Sequence, residues 1–216
     1  MPIISIGQSD PITSSQTSSG TAGASVSIYG IEGAQGLTQG TNQIVLFISS
    51  PSQSSQDANK IDFVVDRFAI SGANSNTAML HVLSPGLPGS IDTKTNEVQV
   101  DVSKLTSSVQ SASNIELSEL KKMMKPGAGS LIVSTTIDTQ NIGSSQTTFQ
   151  LQKMAVITAN GKVSSFSMTD MSVNGVYDVS SKKVSMSIPQ LSGIARDFLS
   201  GASTTGTSSS GVIMPS

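Results

Sequence analysis

A Ser-His-Asp hydrolase built from this chain would have a single imidazole to work with, because His81 is the only histidine. The imidazole is the proton shuttle of such a triad, so the whole mechanism would rest on that residue. His81 sits in the run TAMLHVL, opposite in parity to Leu80 and Val82, and is expected to be a solvent-facing strand residue. There is no Gly-x-Ser-x-Gly elbow beside it. The 14 acidic residues are scattered, and nothing in their spacing selects an acid/base pair.

Hard-oxygen donors gather once, at Asp92, Asn96 and Glu97, over a span short enough for a calcium loop. The alternative is a polar hairpin turn with Asp92 bonding its own backbone, and Asp178 further on doing the same. The cluster Lys121, Lys122 and Lys125 is the one local concentration of positive charge, and it reads as the last turn of a helix. Tyr29 and Tyr177 could supply a sugar-stacking surface, but there is no tryptophan and aromatics are 4% of the chain. The nine methionines read as core filler. Cysteine is absent, which excludes disulfides and thiolate metal sites. Neither a Walker pattern nor a Gly-x-Gly-x-x-Gly turn is present. No catalytic residue, metal ligand or cofactor is therefore assigned, and the chain is read as non-enzymatic.

The elements that would carry these residues are mostly strands. Ser9 to Gly23 is nearly all small and polar, so residues 1–23 form a flexible arm. Residues 24–31 alternate as a first strand, and Ile44 to Ser49 is a short apolar run consistent with a strand buried on both faces. In Ile61 to Ser71, Phe63 and Val65 have one parity and Phe68 and Ile70 the other. A bulge near Asp66–Arg67 would return all four to one face. Thr77 to Leu83 follows as a strand, then the Pro-Gly segment SPGLPGS, then a hairpin over Ser90 to Val102. A helix is expected over 113–125, opened by a Ser113/Glu116 capping box and closed by Pro126-Gly127, with Leu117, Leu120 and Met124 on one face. Beyond it, Ser130 to Ile137 is a strand. Phe149 to Ile188 alternates around an Asn160-Gly161 turn, and Pro189 opens a second short amphipathic helix.

Displacing the chain by 86 residues superposes 61–105 on 147–191 without a gap. Eight of 45 positions are identical, among them Phe63/Phe149, Asn74/Asn160, Gly89/Gly175, Asp92/Asp178 and Val98/Val184. The matched apolar positions agree in parity across three expected turns, and the same offset places Val45, Leu46 and Phe47 on Leu131, Ile132 and Val133. The division expected is an N-terminal arm (1–23), β repeat 1 (24–112), a connecting helix (113–127), β repeat 2 (128–199) and a Ser/Thr/Gly-rich tail (200–216). The fold class is all-β, a sandwich or barrel made from two tandem repeats, with one core or two left open.

A net charge of −2 with 12% charged residues leaves no electrostatic footprint for nucleic acid. The longest apolar run is far short of the ~20 residues of a membrane-spanning helix, and no Sec signal peptide is read at the N-terminus. An uncharged β-rich chain with two polar arms points to a self-assembling subunit of a virion (capsid or tail) or an extracellular filament. The arms would mediate the contacts, with MPIISI and GVIMPS as docking strands and a homo-oligomer as the product. The alternative is an adhesin-like β-sandwich module that binds carbohydrate or a cell surface.

Overall fold

The computed structural model describes residues 25–26, 37–38, 40–72, 74–143, 145–161, 163–167, 173–188 and 199. Both arms, Tyr29, and most of the expected helix after Pro189 lie outside the described residues. Two-residue strands β1 (Ser25–Val26) and β2 (Leu37–Thr38) pair with each other. The main sheet contains β3 (Gly40–Gln53), β4 (Lys60–Gly72), β5 (Thr77–Asp92), β6 (Glu97–Asp101), β7 (Val109–Glu116), β8 (Ser130–Ile142), β9 (Gln146–Thr158), β10 (Val163–Ser167), β11 (Val173–Asp178) and β12 (Lys183–Ser187). Two short helices are described, α1 (Leu105–Ser108) and α2 (Leu117–Met123).

Every pairing is antiparallel, and the order β9-β11-β12-β6-β5-β4-β3-β8 returns to β9, closing an eight-stranded barrel. Strands β7 and β10 lie outside the ring, β7 on β5 and β10 on β9. Period-two alternation decides what faces inward. One buried cluster lines the inside, with Phe63, Val65, Phe68 and Ile70 of β4 and Phe149, Leu151, Met154 and Val156 of β9 among its members. The two parities within β4 converge because Asp66 is skipped in the pairing: Phe47 faces Arg67 and Ile48 faces Val65. That is the expected bulge. β9 has the same device, with Gln152 skipped between Thr136/Lys153 and Ile137/Leu151.

A second cluster lies on the outer wall, where Val45, Phe47, Ala69, Ala78, Leu80 and Ile132 pack beneath Leu120 of α2. This explains the continuous apolar run in β3. Its even residues Ile44, Leu46 and Ile48 face the interior, and its odd ones, Val45 and Phe47, face the helix.

Two expected elements differ. The helix predicted over 113–125 begins at Leu117, with Glu116 at its N-cap and no side-chain cap bond, and it ends at Met123. Ser113 instead faces Leu80 across the β5–β7 ladder. Residues 77–83 of β5 do not pair with β6, so their second edge needs a strand, and Ser111-Ala112-Ser113-Asn114 has too little helix preference to resist. The face was read correctly: Leu120 is buried, with Leu117 and Met124 packed on the same cluster. Lys122 pairs with Glu119 at 2.6 Å on its exposed side. The second difference is SPGLPGS, which does not interrupt the strand. β5 runs through it, paired to β7 up to Leu83 and to β6 from Gly89. Pro85 and Pro88 fall where the strand changes partner, where fewer ladder bonds depend on an N–H.

The strand limits keep the 86-residue spacing. β4 and β9 differ by 86 at both ends, as do β6 and β12, while β10 begins and β11 ends 86 residues after β5 does. The correspondence of Val45 with Leu131 is not kept. Ile44 pairs with Ile70 and Val133 with Val156, so the hydrogen-bond register aligns β3 with β8 at 89 residues. The cause is a shorter hairpin: residues 143–145 connect β8 to β9, whereas 54–59 connect β3 to β4.

Candidate functional site

The residues singled out for chemistry are not brought together. His81 is fully buried, not exposed. Its parity was read correctly, but Leu80 and Val82 belong to the outer wall covered by α2 and β7, so the opposite side is the interior. There His81 lies across the ladder from Phe68, the rings stacked 4.3 Å apart and 11° from parallel. Burial lowers its pKa, opposed by hydrogen bonding with the backbone of Met79 and Phe68. A neutral imidazole held on an aromatic ring inside a barrel is a core residue.

The Asp92, Asn96 and Glu97 set divides into separate tasks. The Asp92 carboxylate accepts the backbone N–H of Lys94 (2.9 Å) and Thr95 (3.1 Å), which holds its pKa down. Asn96 adopts the left-handed region at φ 58°, and its carbonyl accepts the Ile188 N–H at 2.8 Å. Glu97 accepts from the Gln99 amide at 2.8 Å. Among the described residues no group of three or more His, Asp or Glu side chains is placed to hold a metal. Asp178 repeats the turn role. The Ser180 hydroxyl and the Ser181 N–H donate to it at 2.6 and 2.7 Å and bring its pKa down to about 2. Lys182 is left-handed at φ 51°, and its carbonyl accepts the Val102 N–H at 2.9 Å. Tyr177 is 6% exposed and turns into the barrel, so it offers no outer stacking surface. Burial raises its phenol pKa, with the charge of Asp178 adding to that.

Two features that were not singled out remain. The first is the lumen. The β6–β12 seam is lined inside by Val98, Val100, Val184 and Met186, in two directly opposed pairs, Val100 with Val184 and Val98 with Met186. Three of these four side chains are valines, short for a barrel interior. A cavity of about 140 Å³ remains between them and Ile44, Leu46, Phe68 and Phe149. Among the described residues, Thr135 and Tyr177 are the only polar side chains in its lining. The Thr135 hydroxyl already donates to the Ile44 carbonyl at 3.1 Å. Short apolar residues at alternate positions of β6 and β12 were the available signal, but strand order was needed to see them meet.

The second is the free side of β7. Gln110 to Asn114 are all exposed, and among the described residues β5 is the strand's only partner. Apart from Glu116 at its end, the strand has no charge and no proline. On the outer wall nearby, Arg67 sits over the Phe47 ring at 4.3 Å, beside a hollow of about 100 Å³ that Asp66 and Lys125 also line.

Compared with known proteins, the chain matches no family model, no curated protein and no solved structure. The barrel and its surfaces carry the functional argument unaided. No helix among the described residues is long and apolar enough to cross a membrane.

Proposed function

We propose that the chain is a non-enzymatic, self-assembling structural subunit of a virion or an extracellular filament. Strand addition along β7, together with the terminal arms, would join its copies. The observation that carries this reading is the β7 edge. An open strand edge presents a row of unpaired N–H and C=O groups, and monomeric β proteins guard it with lysine, proline, bulges or a covering segment. β7 has one irregularity near its start, where Leu83 pairs with Val109 and Val82 with Ser111. From Ser111 to Ile115 the ladder is regular and uncharged. The low charge of the whole chain favours the same role, since little repulsion opposes close packing of copies.

The reading includes a duplicated origin for the barrel, from β3–β6 and β8–β12. Three features support duplication: the 86-residue strand spacing, the paired left-handed residues Asn96 and Lys182, and the close approach of Gly89 to the Phe63 ring and of Gly175 to the Phe149 ring. The carbohydrate-binding alternative loses its best residue, because Tyr177 faces the lumen.

Light scattering coupled to size-exclusion chromatography tests the reading on the full chain. A concentration-dependent oligomer is expected, and the double variant Ser111→Lys/Ser113→Lys is expected to shift it toward monomer. A wild-type chain that stays monomeric at its highest soluble concentration would sink the proposal.

A further inference from the structure

The lumen is an apolar chamber inside a closed barrel, and a barrel of eight strands is wide enough either to be filled by side chains or to hold one small ligand. Here the described side chains do not fill it. Ile44, Leu46, Val98, Val100, Val184 and Met186 all face inward and pack on the interior cluster, yet each remains only partly buried. The cavity they border is about 140 Å³. An engineered cavity of roughly 150 Å³ with comparable apolar walls stays dry and takes up benzene or xenon. Among the described residues no charged side chain lines the chamber, and the hydroxyl of Thr135 is engaged with a backbone carbonyl.

We infer that the lumen is a binding site for one small uncharged apolar molecule, of the size of a single aromatic ring or a short hydrocarbon chain. The wall chemistry sets the class. A charged headgroup would find no counter-charge in the described lining, and a sugar would have only the Tyr177 phenol and the engaged Thr135 hydroxyl in place of its hydrogen bonds to water. An apolar guest leaves water for a chamber whose walls lack contact partners, and it gains both the transfer free energy and the dispersion contacts. The site is independent of the assembly surface. It lies inside the barrel, whereas β7 lies outside the ring.

The test uses the full chain with benzene and toluene as probes. Thermal unfolding is followed by circular dichroism, and saturable binding by ligand-observed NMR. With probe about tenfold above its Kd, the midpoint is expected to rise by roughly 3–6 °C. Val100→Phe projects a ring into the chamber and is expected to abolish both the shift and the saturable signal. Should that variant fail to fold, Val184→Leu fills less space and is expected to weaken binding at least severalfold while the β spectrum is retained. Saturable binding that persists in a folded chamber-filling variant would place the probe elsewhere and overturn the inference. So would the absence of saturable binding to the wild-type chain.

Discussion

Gly89 and Gly175 each face a phenylalanine directly across the ladder, Phe63 and Phe149. A Cβ added at either glycine would overlap the Cε2 and Cζ atoms of that ring, closer than real Cβ contacts come. Each ring lies over the bare backbone of the glycine opposite, on the inside of the barrel. Gly89→Ala must therefore displace the Phe63 ring, which is 3% exposed and has packed neighbours on its other sides. Overpacking of this kind costs about 1–3 kcal/mol. If the ring were expelled altogether the cost would approach that of losing a buried Phe, ~3–5 kcal/mol. We expect about 2 kcal/mol, a fall of roughly 4–8 °C in midpoint for a chain of this size. In a Phe63→Leu background the added methyl finds space. Gly89→Ala should then be close to neutral, or stabilising by ~0.4–1 kcal/mol through the stiffer unfolded chain. Urea denaturation of the wild type, both singles and the double gives the coupling energy, expected at about 2 kcal/mol. The cycle at Gly175 and Phe149 should give a similar value. A Gly89→Ala cost within 0.5 kcal/mol of zero (roughly the effect of an ordinary surface change), or a cost unchanged by Phe63→Leu, would refute the reasoning.

Other outcomes follow from the same geometry. His81 has a lowered pKa in the fold, so the unfolded chain takes up its proton first. Stability should fall as pH drops below about 6.5, and His81→Phe should flatten that slope in urea midpoints measured between pH 5 and 7.5. Asp178, held at about 2, stabilises above the ordinary carboxylate range and loses that contribution as pH falls toward its folded value. Asp178→Ala should be less stable than wild type at pH 7, with the gap closing under strong acid. Leu120→Ala removes the side chain by which α2 covers the outer cluster, and should cost about 2–4 kcal/mol by chemical denaturation.

How much of this was legible in the sequence depended on range. The alternation in β4 and β9 and the bulge at Asp66 were readable, because a parity switch within one strand leaves a trace in its own residues. The turn roles of Asp92 and Asp178 were readable for the same local reason. The environment of His81 was not. Its parity was plain, but which side was inside depended on α2 and β7 covering Leu80, and those contacts join distant segments. The start of α2 was misplaced because Ser113 and Glu116 imitate a capping box, while the edge of β5 required a strand there. The lumen could not be read at all, since Val100 and Val184 are 84 residues apart and meet only because β12 pairs with β6.

The β6–β12 seam has one further property. Asp101 faces Lys183 and Glu97 faces Ser187, while the Val102 N–H reaches the Lys182 carbonyl and the Ile188 N–H reaches the Asn96 carbonyl. Each member of these pairs is the other moved 86 residues along the chain with the two strands exchanged. Such a joint is isologous in the sense used for two-fold dimers. Among the described residues, strands of the first half pair with strands of the second at two places, here and at β3–β8. Neither ladder records which polypeptide supplied each strand. The two halves are joined through Val102 to Gly129, a connection that carries α1, β7 and α2, with β7 held against β5. Were the second half of one chain to meet the first half of another, the same two ladders would be available, and a barrel closed on itself would become a link closed on its neighbour.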